Sequence, residues 1–414
     1  MFEYAVFWEW LSFAVRWAHL IAAIGWIGTS FYFIALDLGL RRQGPLPPGV
    51  NGEEWQVHGG GFYHVQKYMV APAAMPEHLI WFRWDAYATW LTGFAMLCVV
   101  YYAGAELYLI DKAVLDVSRP VAIILSIGSL VLGWIVYDLI CKSPAGRSET
   151  GLMLLLYAVL VAMAWGYTQL FTGRAALLHL GAFTATIMSA NVGHIIIPNQ
   201  RKVVAALKAG EKPDPALGIQ AKQRSTHNNY LTLPVIFLML STHYPLAFAT
   251  EYNWLIASLV FLMGVTIRYY FNTYHAERRA LLWPWAATLA IFAVIIWLSG
   301  LGAKSPGPAA DAASLAPRQM RLVNSPDFAQ VQELLGYRCI MCHAESPAWQ
   351  GMITAPKGVK FDTGEQIASH AREIYLQAGL SHAMPPANIT AMEDGDRALI
   401  VKWYEGASAG VAAR

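Results

Sequence analysis

Residues 281–301 read LLWPWAATLAIFAVIIWLSGL, and residues 302–318, which follow directly, read GAKSPGPAADAASLAPR. The first stretch carries no charged side chain over a length that, coiled as a helix, crosses about 30 Å of hydrocarbon. The second is dominated by Ala, Pro, Gly and Ser, which cannot bury enough apolar surface to offset the entropy of ordering, so it reads as a tether. The junction near Leu301 therefore separates an apolar helical domain from a smaller domain of ordinary composition.

Upstream of the junction the same pattern recurs. Segments of span length run from Trp10 to Leu38, Trp81 to Tyr108, Arg119 to Ile140, Gly151 to Phe171, Ala175 to Ile197, Asn229 to Phe248, Trp254 to Phe271 and Leu281 to Leu301. Backbone groups must be satisfied internally in lipid, so each is read as a helix. The whole chain of 414 residues agrees: 56% is hydrophobic and only 14% charged, with a mean hydropathy of +0.39, too apolar for a soluble globule of this size. A net charge of +2 with no long basic run gives nucleic acid no purchase.

Loop charges orient the spans. Arg41, Arg42 and Lys67 follow the first, Lys142 and Arg147 the third, Arg201, Lys202, Lys208, Lys212, Lys222 and Arg224 the fifth, and Arg278 and Arg279 the seventh. By the positive-inside rule these loops are cytoplasmic, and both termini face outward, into the periplasm of a Gram-negative cell. The N-terminus, with Glu3 and aromatic residues, lacks the pattern of a cleaved leader, so the first apolar segment is expected to stay as a span.

Beyond the tether, Cys339-Ile340-Met341-Cys342-His343 is a CxxCH motif, in which two thiols attach a haem through thioethers and the histidine becomes an axial iron ligand. A zinc half-site lacks its second half, and a thioredoxin-like pair lacks its βαβ surroundings. The sixth ligand is read as Met384, held in Met384-Pro385-Pro386, with Met352, Met392 and His382 as competitors. A helix near Phe328 to Leu335, the Met-Pro segment and a closing helix from Asp394 to Tyr404 resemble the small class I cytochrome c domains. The expected architecture is all-α: an eight-span transmembrane bundle at residues 1–301, a linker at 302–318 and a periplasmic cytochrome c domain at 319–414. Attachment of c-type haem on the outer side of the bacterial membrane, as that resemblance implies, agrees with the loop charges. Cys98 and Cys141 come out at different depths and read as packing residues.

Ionisable residues within spans are functional candidates by default. His19, His179 and His243 fall toward the outer face and are candidate ligands of a second haem, of b type, with bonding inside the bundle as the competing reading. Toward the inner face lie Glu77, His78, Asn191, His194, Gln223, Arg224, Thr226, His227, Asn228 and Asn229. Amides and a guanidinium in an apolar setting suit a planar, hydrogen-bonding, weakly acidic ligand, with a histidine able to move a proton. The competing reading is an interfacial loop whose polar residues meet water and headgroups.

Val15 to Phe31, residues 193–200 (GHIIIPNQ), 224–234 (RSTHNNYLTLP) and 241–245 (STHYP) resemble the integral-membrane urate oxidases, or urate hydroxylases, of bacterial purine catabolism. The resemblance implies oxidation of urate to 5-hydroxyisourate, without hydrogen peroxide, and electron delivery through the c haem to a respiratory-chain cytochrome or oxidase. It makes the protein an oxidoreductase of the inner membrane. On that reading His227 or His194 serves as base, and Arg224, Asn228 and Asn229 hold the substrate anion. The alternatives are a membrane quinol-to-cytochrome conduit and a transporter or sensor that reports redox state.

Overall fold

The computed structural model describes residues 2–42, 44–112, 114–248, 250–301, 315, 317–349, 352, 355–380 and 383–409. It is mostly helical, with 71% of residues in helices, and six of those helices are long and apolar enough to cross a membrane. The chain divides into two compact units, one of Met1–Met239 with Trp254–Leu298, the other of Leu240–Asn253 with Ser299–Arg414.

The first unit opens with α1 (Phe2–Gly39), followed by two strands, β1 (Val50–His58) and β2 (Gly61–Tyr68), and then α2 (Trp84–Met96), which continues through a wide turn at Leu97–Tyr102 into the short α3 (Ala105–Tyr108). Next come α4 (Arg119–Lys142), α5 (Glu149–Thr168), α6 (Gly173–Ala190), a second wide turn at Asn191–Ile196, α7 (Ile197–Lys208) and α8 (Pro215–Ser241). After α9 (Pro245–Phe248), which belongs to the second unit, α10 (Asn253–Glu277) and α11 (Trp283–Gly300) complete it. Six helices meet the spanning criterion: α1, α4, α5, α10, α11 and the continuous rod Gly173–Lys208. The other two expected spans are helical but differ in character: α2 is broken after Tyr102, and the first half of α8 is polar.

The antiparallel hairpin β1–β2 departs from the all-α expectation. Its tight turn holds Gly59 at φ 58° and Gly60 at φ 78°, the paired left-handed conformation that glycine alone adopts without strain and that matches strand twist. The hairpin is tied to the end of α1 by Lys67 on Asp37 at 2.6 Å and by the Tyr32 hydroxyl donating to Gln56 Oε1 at 2.8 Å.

Small residues let the helices approach. A Cβ at Gly264 of α10 would stand 2.6 Å from Pro234 Cδ of α8, one at Gly181 of α6 would stand 3.1 Å from Leu238 Cβ, and one at Gly133 of α4 would run into the Phe183 ring. Such close contacts are the kind on which packing of apolar helices relies. The wide turn at Asn191–Ile196 has a local cause: Pro198 has no N–H to give the carbonyl four residues back, and the Ile197 N–H instead reaches the Val192 carbonyl, five back.

The second unit holds α12 (Pro317–Val323), α13 (Phe328–Arg338), α14 (Gly364–Ser369), α15 (Ala371–Ile374) with a wide turn at Tyr375–Leu380, and α16 (Asp394–Ala409). Its core joins Leu322, Val331, Leu335, Ile367, Ile400 and Trp403. The Trp403 Nε1–H donates to the Leu322 carbonyl at 3.0 Å, which satisfies the one polar atom of that fully buried ring. α14 starts on a capping box, Thr363 and Gln366 bonding each other's backbone. The expected tether at 302–318 lies almost wholly outside the described residues.

Candidate active site and redox-centre residues

The polar residues of α8 are brought against α4 and the Asn191 turn. Asn228 Nδ2 donates to the Met188 carbonyl at 2.9 Å, which fixes its amide and turns its oxygen toward Asn191 Nδ2 at 3.1 Å. Asn191 Nδ2 also donates to the Tyr137 oxygen at 3.0 Å, and Tyr137 stands 2.6 Å from His227 Nδ1. All four residues are buried. His227 and Tyr137 also line a cavity of about 70 Å³ whose other walls include Phe183, Tyr230, Phe261 and Val265, room for several waters or part of a flat ligand.

Arg224, one turn before His227, is 3% exposed and donates through Nη2 to Asp138 Oδ1 at 2.7 Å, while its guanidinium covers the Tyr137 ring at 4.8 Å. Lys142 reaches the other Asp138 oxygen at 2.6 Å. Arg224 Nη1 and Asn191 Oδ1 are buried without a protein partner. A buried donor and a buried acceptor left open next to the Tyr137–His227 pair are costly unless a bound molecule or water meets them.

The inner candidates separate. His227, Arg224 and Asn228 join the network around Tyr137. Asn229 turns to α10 instead, where Arg268 Nε donates to its oxygen at 2.6 Å and its own Nδ2 donates to Asn272 Oδ1 at 3.2 Å. His194 is exposed, bonds the Ala190 carbonyl of its own helix at 3.2 Å and meets the Trp134 ring at a tilt, centroids 4.7 Å apart, so it is not among the partners of His227. Sequence reading passed over Tyr137, Asp138 and Arg268. The last two had a signal, a charge inside an otherwise apolar helix; Tyr137 had none, since a tyrosine at a helix end reads equally well as an interface anchor.

The outer histidines have different partners. His19 is buried with Nδ1 3.0 Å from the Thr89 carbonyl, and its Nε2 has no partner. Gly93 makes room for it, since a Cβ there would stand 2.9 Å from His19 Cε1. His179 has both ring nitrogens engaged, Nδ1 by the Ala175 carbonyl and Nε2 by Ser126 Oγ, each at 2.8 Å. His243 belongs to the second unit. Among the described residues no three His, Cys, Asp or Glu side chains gather as a metal site.

In the second unit α13 delivers Cys339 at its C-terminal end, and the Cys342 and His343 N–H groups both donate to the Cys339 carbonyl, at 3.1 and 2.9 Å. The thiols of Cys339 and Cys342 are not bridged. Burial, and secondarily the neighbouring Cys342, pushes the Cys339 thiol up to about 12. His343 Nδ1 lies 2.9 Å from the Val359 carbonyl, the bond that orients a ligating imidazole and leaves Nε2 for a metal. Met384 is 36% exposed; its N–H donates to the Gln377 carbonyl at 2.9 Å and its carbonyl accepts from Arg397 Nη1 at 3.0 Å. Of its competitors, Met392 is packed in the core and His382 lies outside the described residues. This donor set, two unbridged thiols, an imidazole oriented through Nδ1 and a methionine whose backbone is held on both sides, fits a covalently attached haem.

No curated protein and no solved structure matches the chain. The profile described as Urate oxidase N-terminal matches residues 5–299, nearly the whole helical part up to the end of α11. A buried Tyr137–His227 pair beside a cavity thus lies within the matched region, and the chain belongs to the Urate oxidase N-terminal family.

Proposed function

We propose that the protein is a membrane-bound urate oxidase that converts urate to 5-hydroxyisourate and passes the electrons to a c-type haem held by Cys339, Cys342, His343 and Met384. The observation that carries this reading is His227: buried, bonded through Nδ1 to Tyr137, and lining a cavity inside the region that matches the family. Hydroxylation of urate by water releases two protons and two electrons, so a proton acceptor must stand beside an electron acceptor. When His227 Nδ1–H donates to the Tyr137 oxygen, Nε2 is the open edge of the imidazole and takes a proton at the cavity. Arg224 Nη1 and Asn191 Oδ1 supply one donor and one acceptor, complementary to a planar substrate rich in both. Asn228 positions Asn191, and the exposed His194 is left outside the catalytic group.

The haem supplies one-electron acceptance when bound, and no hydrogen peroxide is formed because oxygen is not the acceptor. His343, oriented by the Val359 carbonyl, and Met384 would be the residues that hold its iron. The redox partner is a respiratory-chain cytochrome or oxidase. We assign the helical unit to eight spans of the inner membrane and the second domain to the periplasm, on the loop charges and the composition. If a b haem is also present, His19 is its ligand from this set, since its Nε2 is open while His179 is engaged on both sides.

An anaerobic optical spectrum of the oxidised protein before and after urate tests the reading. Appearance of reduced c bands supports it, and a separate b-type band adds the second haem. No change with urate, while a quinol reduces the haem, replaces it with the conduit.

A further inference from the structure

Two arginines lie buried in the helical unit, and their charges are balanced differently. Arg224 is neutralised by Asp138. Arg268 of α10, 6% exposed, has no carboxylate partner among the described residues. Its guanidinium is instead held by neutral groups: Nε donates to Asn229 Oδ1 at 2.6 Å, Nη2 donates to Asn272 Oδ1 at 3.1 Å, and the carbon centre lies 4.2 Å from the Phe31 ring of α1. Those bonds use two of five N–H donors, and among the described residues no hydrogen bond engages the other three.

An unpaired cation in an apolar bundle is costly, and in membrane spans such groups mark ligand or ion sites. Two amides and an aromatic face fix the plane of the fork without neutralising it, which is an arrangement for receiving a planar anion edge-on. Phe261, Val265, Arg268 and Asn272 follow one another at spacings of three and four residues and so share one face of α10. The first two line the cavity of His227, as does Tyr230, the residue after Asn229.

We propose that Arg268, oriented by Asn229, Asn272 and Phe31, is the anion-binding residue of the membrane domain and takes the charge of a planar monoanion, with Arg224 supplying a hydrogen bond but no net charge. This rests on the urate reading for the identity of the anion, though not for the site. Asn229, expected to touch the substrate anion, acts through Arg268 as a positioning residue.

The test is equilibrium binding of urate, and separately of benzoate as a simple planar anion, to the full-length holoprotein. Three variants are compared with the parent: Arg268→Gln, Arg268→Lys and Asn272→Asp. The last keeps Arg268 and the side-chain shape but places a carboxylate beside Nη2, so it should weaken anion binding by about tenfold or more without disturbing the fold. Arg268→Gln should lose at least as much, and Arg268→Lys less. If urate binds the parent and Asn272→Asp equally well, the proposal is overturned while the urate reading stands. If only benzoate binds, and binds in an Arg268-dependent way, the site stands and urate is the wrong anion. Binding of neither anion to the parent overturns both.

Discussion

Replacing Asp138 by Asn measures whether charge, and not only hydrogen bonding, holds α4 against α8. The change is nearly isosteric, and the Asn oxygen can still accept from Arg224 Nη2, now 2.7 Å from Asp138 Oδ1. What is lost is the negative charge opposite an arginine side chain that is 3% exposed. Polar contacts between membrane helices are worth about 0.6 kcal/mol and rarely more than about 1.7. Leaving a buried charge uncompensated costs about 3–5 kcal/mol. Lys142 adds little to the balance, because at 59% exposure its pairing with Asp138 is screened and worth about 0.5 kcal/mol at most. We therefore expect Asp138→Asn to lower the stability of the helical unit by about 3 kcal/mol or more, read by titrating purified protein from mild detergent into dodecyl sulfate and following circular dichroism. The double variant Asp138→Asn/Arg224→Gln should recover most of that loss, since no charge is then stranded. A single-variant loss below about 1 kcal/mol would refute the argument and reduce the pair to an ordinary hydrogen bond.

Three further outcomes can be checked directly. Met384→Ala should leave the haem covalently attached while lowering its potential and admitting imidazole or cyanide; an unchanged potential and no new ligand band would move the sixth ligand elsewhere. Gly93→Ala places a methyl against the His19 ring, and overpacking of this kind costs about 1–3 kcal/mol, read as earlier thermal loss of the folded fraction on size exclusion; an unshifted profile would mean that the ring relaxes freely. Burial, outweighing the nearby Glu373, holds the His370 imidazole below its ordinary value, and its Nδ1 has no partner. The unfolded chain then binds the proton first, so the stability His370 confers is complete above about pH 6.5 and drains away as pH falls below it. His370→Leu should flatten that slope in acid unfolding of the second domain, and an unaltered slope would assign the proton elsewhere.

How much could be read in advance differs between the two parts of the molecule. Helix positions in the first unit followed from apolar length, and where the pattern was continuous the rods lie near their expected bounds, as with Arg119–Lys142 and Trp283–Gly300. The hairpin was missed although its cue was present, a glycine run between Trp55 and Phe62 with alternating side chains on either flank. It was hidden because the segment was read only for its loop charges, as the connection between the first two spans. In the second domain CxxCH is a contiguous motif, so its residues could be named from the chain alone.

The sequence by itself determined the helical character of most of the chain and named candidate spans and a CxxCH motif, because these depend on composition and on spacing of a few residues. Only the tertiary structure decided which inner polar residues act together. His227, His194 and Asn229 are close along the chain or at similar depth, yet His227 meets Tyr137 of α4, Asn229 meets Arg268 of α10, and His194 remains exposed. A helix turns by about 100° per residue, so neighbours in sequence face different partners, and which partners those are depends on helix packing. The pairing of Arg224 with Asp138, and the lack of such a partner for Arg268, follow from that packing and distinguish two arginines that composition alone leaves equivalent.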